Sequence, residues 1–320
     1  MEHSGSKRAG QPAEDSVKGS AEEPVEIRPV ESHHEFQACV ELQERVWGTG
    51  FSQCVPSAIL KVTQRLGGVV SGAWRRDGTM VGFVFGMTGW EDGVPVHWSD
   101  MLAVDPDFRD GGLGRRLKLH QRDELLGRGV TRMYWTFDPL ESRNAHLNLE
   151  RLGAVGREYV RDMYGASDSP LHRGIGTDRF LAVWEMDSPR VRDRVAPPSG
   201  SRGVSPPDRE GAETPPPVVV LDARPEEGGE RAEGPVLPGD PELHRDGSVL
   251  AVAIPGSIQA LLARHPEAAE LWRERTRATL EHYLGRGWVA AGLRRRGTIS
   301  QLLLIREEGV WDRVDGGSGG

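Results

Sequence analysis

The hydrophobic positions of residues 25–186 change between strand and helix periods along the chain. Short alternating or continuous apolar runs predict strands, and apolar positions three or four apart predict amphipathic helices. The predicted order is β-α-α-β-β-β-α-β-α-β-β, with strands at residues 25–30, 69–75, 80–88, 97–104, 131–137, 154–159 and 180–186, and helices at residues 34–47, 57–66, 113–126 and 142–152. This order predicts an α/β (α+β) domain with a mixed sheet and helices on both faces.

A second, smaller α/β unit is predicted near the C-terminus. An apolar run, a short helix, a longer amphipathic helix and a hairpin follow one another between residues 249 and 305. Such a short unit has a thin core, so we expect it to dock on the first domain or to pair between protomers. The expected divisions are a disordered N-terminus (1–23), a first domain (24–188), a linker rich in Pro, Gly and acidic residues (189–247), the C-terminal unit (248–309) and a tail (310–320). Within the linker, residues 218–221 could form a strand.

The composition excludes several classes of protein. A formal net charge of −8 argues against nucleic-acid binding by the chain as a whole. The two cysteines, Cys39 and Cys54, are too few for a disulfide scaffold and cannot form a C-x-x-C metal site, so we expect them to pack as small apolar side chains. Neither a secretory signal nor an 18-residue apolar stretch is evident, which predicts a cytoplasmic protein without a membrane contact. Abundant Arg, Gly and Pro suggest a bacterial source.

Residues 102–117, LAVDPDFRDGGLGRRL, join a predicted strand, a turn and a helix. The N-terminus of a helix offers unpaired N–H groups and a partial positive charge, and glycines let a phosphate approach them. Gly112 and Gly114 would give that access, while Arg115 and Arg116 add charge. The stretch therefore predicts a phosphate or pyrophosphate site, or else a turn whose glycines only permit unusual φ angles. It lacks the third glycine of a dinucleotide loop and the Lys-Ser/Thr pair of a P-loop.

The pattern R-x-x-G-x-G, formed by Arg109, Gly112 and Gly114 after a strand that ends in AVDP, resembles motif A of the GNAT superfamily of acyl-CoA N-acyltransferases. The order of elements from Val25 to Met186 resembles that family without an insertion. The stretches WTFDPLESRNAHLNLERLGA and GTDRFLAVWEM look like a bacterial subgroup of predicted acetyltransferases with a C-terminal extension. The resemblance implies a GNAT fold and direct transfer of an acyl group from acetyl-CoA, or another acyl-CoA, to an amine in a ternary complex, without a metal.

The resemblance also implies how the cosubstrate is held. The loop would bind the pyrophosphate, and the pantetheine arm would lie where the strand 97–104 splays from the strand 131–137, pairing with the backbone like an added strand. The Arg294–Arg296 run is either a solvated turn or a contact for the 3′-phosphate. The residues expected to bind the cosubstrate are Leu102, Val104, Arg109, Gly112, Leu113, Gly114, Arg115, Arg116 and Asn144.

Asp100 is the candidate for the base that takes a proton from the amine. A period of two places Trp98, Asp100 and Leu102 on one face of the strand. The family often carries its base at about the position of Trp98, which cannot act as one, and Asp100 is one step along the same face. The alternative is that Asp100 pairs with an arginine. Other candidates nearby are His97, Glu91 and Asp92.

The acid that protonates the leaving thiolate is not evident. Counted back from Gly153, the position of the family's usual tyrosine is occupied by Leu149. Tyr164 is the candidate that replaces it, and Tyr159 is an alternative; ordinary packing on a sheet would explain both. The missing tyrosine and the C-terminal unit favour a second hypothesis, in which the chain is a GNAT-like module that binds acyl-CoA as a sensor or partner-binding subunit. The amine acceptor is not identified, and a homodimer remains open.

Overall fold

We describe a computed structural model, which covers residues 24–49, 51, 53–165, 175–196, 216–225 and 234–311. The N-terminus predicted to be disordered (1–23), most of the predicted tail and two parts of the predicted linker (197–215 and 226–233) lie outside these residues.

The first domain has the predicted order of elements and confirms the mixed α/β fold. Pro106–Phe108 form a 3-10 turn before the third helix, and His146–Arg151 continue the fourth helix as a π-helix. The elements are β1 (Glu26–Pro29), α1 (His33–Trp47), α2 (Ser57–Arg65), β2 (Val69–Trp74), β3 (Met80–Glu91), β4 (Val94–Val104), α3 (Leu113–Leu126), β5 (Arg132–Phe137), α4 (Ser142–Ala145), β6 (Val155–Val160) and β7 (Arg179–Glu185).

The rest of the described chain adds further helices and strands. Four of these elements lie within the stretch predicted as a linker: a helix at residues 189–195, which buries Val191, and strands at residues 218–221, 223–225 and 236–238. The strand at residues 218–221 is where the sequence allowed one, whereas the Pro and Gly content hides the other three elements. The elements are α5 (Pro189–Val195), β8 (Val218–Leu221), β9 (Ala223–Pro225), β10 (Val236–Pro238), β11 (Leu250–Pro255), α6 (Ile258–Arg264), α7 (Pro266–Leu284), β12 (Trp288–Arg296) and β13 (Ile299–Arg306).

The C-terminal unit docks on the first domain, the first of the two expected arrangements, and extends its sheet. The strands form one sheet in the order β1-β2-β3-β4-β5-β7-β6-β12-β13-β11-β8, and β12 meets β6 where Ala290 pairs with Gly156. A single apolar cluster contains both Trp184 of β7 and Trp272 of α7. The thin core of the unit is therefore completed by the core of its neighbour.

The two faces of the sheet around β3, β4 and β5 carry different helices. Phe36 of α1 and Leu60 of α2 pack with Phe83 and Phe85 on one side, which we call the α1 face. On the other side, the α3 face, Leu113 and Leu117 of α3 pack against β3 and β4. The α4 region lies on the α3 face as well. Trp184 pairs with Met133, which Lys118 of α3 contacts, and the Trp184 indole donates to the Leu152 carbonyl at 2.8 Å.

Candidate active site

The loop between β4 and α3 forms an open cradle at the start of the helix. Asp110 and Gly112 both have positive φ angles, 71° and 74°, and Gly112 is the N-cap of α3. No described heavy atom lies within 4 Å of the position that a Cβ at Gly112 would take. This conformation favours glycine, and the space in front of the helix is free for a ligand.

The backbone N–H groups at this helix start are unpaired. The first helical bond runs from the Arg116 N–H to the Gly112 carbonyl at 3.1 Å. Among the described residues, no hydrogen bond uses the N–H groups of Gly112, Leu113, Gly114 or Arg115. Four free donors at the positive end of a helix suit the negative oxygens of a pyrophosphate.

The arginines predicted to bind phosphate also have partners within the protein. Arg115 donates to the backbone carbonyls of Arg151 and Arg194 at 3.4 and 3.3 Å, and Arg116 donates to the Val25 carbonyl at 2.7 Å. Arg109 donates through Nε to the last carbonyl of β4 at 3.4 Å. A guanidinium has five N–H donors, so each keeps donors for a ligand while it anchors the chain around the loop.

The helix that follows β5 begins beside the same loop. Arg143 of α4 forms an ion pair with Asp110, and the next residue, Asn144, is exposed. Leu149, at the family's usual tyrosine position, is fully buried in the core, so this position offers no proton donor.

A gap opens between β4 and β5 next to the loop. The two parallel strands pair at only three positions, the last of which joins Trp98 to Tyr134. Beyond this pair, the edge of β4 that faces β5 has no partner strand up to Val104. This is the opening that the resemblance predicts for a pantetheine arm, and its free backbone edge includes Leu102 and Val104.

A β-bulge interrupts β4 at the start of the gap. Phe85 of β3 pairs with Met101 and Gly86 pairs with Ser99, so Asp100 between them has no partner residue. A bulge inserts one extra residue and bends the strand that carries it. The bend occurs where β4 begins to leave β5.

The bulge corrects one prediction. Trp98, Asp100 and Leu102 were expected on one face, but Leu102 packs against Leu113 on the α3 face. Asp100 stays with Trp98, whose indole N–H donates to its carboxylate at 3.3 Å. The extra residue shifts the alternation by one between them, and this shift cannot be seen in a strict period of two.

Asp100 has the properties of a proton acceptor. Its side chain reaches solvent, but the surrounding atoms desolvate it enough to raise its pKa above the ordinary value, against the lowering effect of the Trp98 hydrogen bond. Asp100 forms no ion pair within the described part of the chain, so the alternative of an arginine partner is not observed.

A cavity of about 550 Å³ lies beside Trp98, the residue whose indole donates to Asp100. Aromatic and aliphatic side chains form much of its wall, and the exposed end of β3 contributes Trp90, of which 76% is accessible. Glu91 is held at its rim by the Tyr134 hydroxyl at 2.7 Å and by Arg132 at 3.2 Å. The cavity is lined by Met87, Thr88, Gly89, Trp90, Glu91, Asp92, Val96, Trp98, Tyr134 and Leu181.

The two candidate tyrosines have different surroundings. The Tyr164 hydroxyl is 2.6 Å from the hydroxyl of Thr136, two residues beyond Tyr134 on β5, and 40% of Tyr164 is exposed. Tyr159 is buried, donates to Asp178 at 2.6 Å, and has a pKa raised mainly by desolvation. Tyr159 therefore packs in the core, whereas Tyr164 contacts the part of β5 that lies beyond its last pair with β4.

Sequence reasoning missed a chain of buried polar side chains on the α3 face. The Lys118 ammonium donates to the Ser99 hydroxyl at 2.6 Å, and Ser99 donates to the Gln121 amide oxygen at 2.9 Å. The Gln121 amide nitrogen is 3.0 Å from His97 Nε2, and Thr88 lies 3.1 Å from His97 Nδ1. The available signal was that Lys118 and Gln121 interrupt the apolar stripe of α3.

Other kinds of site find no support within the described residues. No group of three or more His, Cys, Asp or Glu side chains there could hold a metal ion. None of the described helices is both long and apolar enough to cross a membrane. Cys39 is buried and burial raises its pKa to about 12, so it packs as a small apolar side chain.

Comparison with known proteins shows what part of this chain is similar to. Solved structures with a similar fold include the ribosomal-protein-S18-alanine N-acetyltransferase from Escherichia coli, with 21% identity over 50% of this chain and 93% of that one (TM-score 0.41). They also include yncA from Salmonella typhimurium with its cofactor acetyl-CoA, with 20% identity over 55% and 99% of the chains (TM-score 0.41). No curated protein matches the sequence. The family model described as "Acetyltransferase (GNAT) family" matches residues 36–154, so this part of the chain is similar to the GNAT acetyltransferases.

Proposed function

We propose that the protein transfers an acyl group, most simply acetyl, from acyl-CoA to an amine by direct attack within a ternary complex. The observation that carries this proposal is the row of four unpaired N–H groups at the start of α3, from Gly112 to Arg115, which opens beside the gap between β4 and β5. A diphosphate on these donors and an extended arm in the gap together describe the shape of coenzyme A.

The chain's own residues divide the work of binding. The loop amides hold the pyrophosphate, Arg109, Arg115 and Arg116 add positive charge, and the free edge of β4 near Leu102 and Val104 pairs with the arm. Asn144 is the proposed contact from α4, since its neighbour Arg143 pairs with Asp110 of the loop. When bound, acyl-CoA supplies the activated acyl group as a thioester.

Asp100 is the proposed base. Its carboxylate lies at the bulge where the gap begins, and its raised pKa makes it a better proton acceptor than an ordinary surface aspartate. The amine would enter through the cavity beside Trp98, lose its proton to Asp100, directly or through a water, and attack the thioester carbonyl. Tyr164, on the other side of the gap, is a candidate to orient the acceptor or to donate a proton.

Binding of acetyl-CoA, measured by calorimetry, tests the first step. Gly112→Trp places a large side chain in the cradle and should abolish binding, because it blocks the loop amides. Gly129→Trp is a matched control: Gly129 also has a positive φ, 77°, with no atom within 4 Å of its Cβ position, but it follows the other end of α3. If the wild-type protein binds neither acetyl-CoA nor longer acyl-CoAs, the proposed function is wrong.

Asp100→Asn separates an enzyme from a binding module. For an enzyme, this change should lower the rate of thiol release with an accepted amine about 100-fold or more and leave the Kd for acetyl-CoA nearly unchanged. A wild-type protein that binds acetyl-CoA but releases no thiol with any of a broad set of amines would instead support the non-catalytic module.

A further inference from the structure

Lys118 lies at the closed end of the gap between β4 and β5. Its ammonium bridges the two strands from the α3 face, since it contacts Ser99 of β4 at 2.6 Å, the Met133 sulfur of β5 at 3.7 Å and the Trp135 ring centroid at 4.1 Å. Ser99 follows directly after the last paired residue of β4, and Trp135 follows directly after its partner in β5. Lys118 therefore occupies the point at which the strands part.

Within the described part of the chain, no carboxylate contacts this ammonium. Only 3% of Lys118 is exposed, and its contacts with Ser99, Met133 and Trp135 are all with neutral groups. His97 of β4, at the other end of this chain of hydrogen bonds, has a pKa that burial lowers to about 3, so its ring is uncharged. Burial alone lowers the pKa of Lys118 to about 7, which leaves its amine close to half protonated at neutral pH. A buried charge without a partner costs stability, and such groups cluster at functional sites.

The choice of lysine is unusual for this chain. Only four of its 40 Lys and Arg residues are lysines: Lys7, Lys18, Lys61 and Lys118. An arginine keeps its proton at any ordinary pH, whereas a buried lysine can gain and lose one. A position that needed only a cation or a long side chain would be expected to follow the general preference of the chain for arginine.

We propose that Lys118 is the acid that protonates the coenzyme A sulfur as the thioester breaks, in place of the tyrosine whose position is occupied by Leu149. This inference rests on the proposed function. The amine nitrogen forms its bond to the acyl carbon, the C–S bond breaks, and its electron pair stays on sulfur. Lys118 donates its proton to that sulfur and becomes a neutral amine, and it regains a proton from solvent while Asp100 releases to solvent the one taken from the acceptor. The products are the N-acyl amine and free coenzyme A thiol.

Lysine-selective ¹³Cε labelling followed by NMR titration tests whether Lys118 meets the sulfur. With only four lysines, Lys118→Met and Lys61→Met assign the two signals from described residues by their disappearance. The pKa of Lys118 is then measured with coenzyme A and with desulfo-coenzyme A, which lacks only the sulfur. We expect the two values to differ by about half a unit or more, because only one ligand places a titratable group beside the amine. The signal of the exposed Lys61 should be the same with both ligands.

Rates provide the second readout. Lys118→Met should slow thiol release about 100-fold or more, while the exposed Lys61→Met should keep the wild-type rate. Lys118→Gln, checked by circular dichroism, guards against a folding defect specific to methionine. If both ligands bind and the Lys118 pKa is the same with each, or if folded Lys118 variants keep the wild-type rate, the inference is overturned. Failure of the wild-type protein to bind coenzyme A would count against the proposed function instead.

Discussion

The replacement of Lys118 by methionine should change how the stability of the protein depends on pH. Methionine keeps the length of the side chain and suits the apolar side of this site, where Met133 and Trp135 lie. The substitution removes the Lys118 amine, whose pKa burial lowers from its usual value to about 7. The expected result concerns folding alone and does not depend on any ligand.

The size of the effect follows from the pKa of Lys118, which falls from 10.5 in the unfolded chain to about 7 in the folded protein. Below pH 7 both states hold the proton, and the folded state bears the full cost of a buried charge, at most about 5 kcal/mol. Between pH 7 and 10.5 the unfolded chain holds a proton that the folded protein has lost, so stability rises with pH. This group alone should add about 2 kcal/mol between pH 7 and pH 9.

The free energy of unfolding, measured with urea at half-unit steps from pH 6 to pH 9.5, tests this reasoning. The wild-type curve minus the Lys118→Met curve should rise by about 2 kcal/mol from pH 7 to pH 9, while contributions from other groups cancel. The variant should also be at least as stable as the wild type at pH 6. Parallel curves for the two proteins would refute the argument, since they would show that Lys118 has the same pKa in both states.

Three other predictions follow from contacts near the site and the domain junction. Gly86→Ala should lower the free energy of unfolding by more than about 2 kcal/mol, because the new Cβ would lie 2.2 Å from Nε2 of the buried His97. Gly89→Ala is the control: no atom lies within 4 Å of its Cβ position, so it should cost far less in the same urea titration. Arg273→Met should cost about 3–5 kcal/mol, because it removes the guanidinium bound at 2.6 Å to the buried Asp138 carboxylate and leaves that carboxylate only the more distant Arg179, at 3.9 Å. Arg275→Met on the same helix loses only a surface ion pair and should cost less than about 1 kcal/mol; equal losses would contradict the reasoning. Because the pKa of Asp100 is raised, the acyl-transfer rate should fall with decreasing pH at a midpoint above 3.8, and an acid limb at or below that value would exclude this base.

The order of elements could be predicted because each has a strong local signal. The helix α3 begins and ends at the residues expected from the glycines around it, and α1 begins where Ser32 caps it. The location of the cradle was also predictable, since its glycines stand between an apolar strand and an amphipathic helix. These features depend on residues close together in the chain.

The features that the sequence did not reveal depend on distant residues. The bulge at Asp100 arises from the register of β4 against β3, and no local pattern marks the extra residue. The sequence shows only that Lys118 interrupts the apolar stripe of α3, and its burial follows from the position of α3 over two diverging strands. The joining of β12 to β6 likewise depends on a contact between residues 134 positions apart, Gly156 and Ala290.

The continuous sheet also determines which strands are left at its borders. Within the described chain, the sheet ends on each side in a strand of four residues, β1 and β8, and β1 ends in Pro29, which has no N–H to offer. Short borders and proline discourage pairing with another molecule. A chain cut after β7 would instead expose the six-residue edge of β6 and the apolar surface now covered by α7. We therefore expect the isolated first domain to self-associate, so studies of this protein need the C-terminal unit in place.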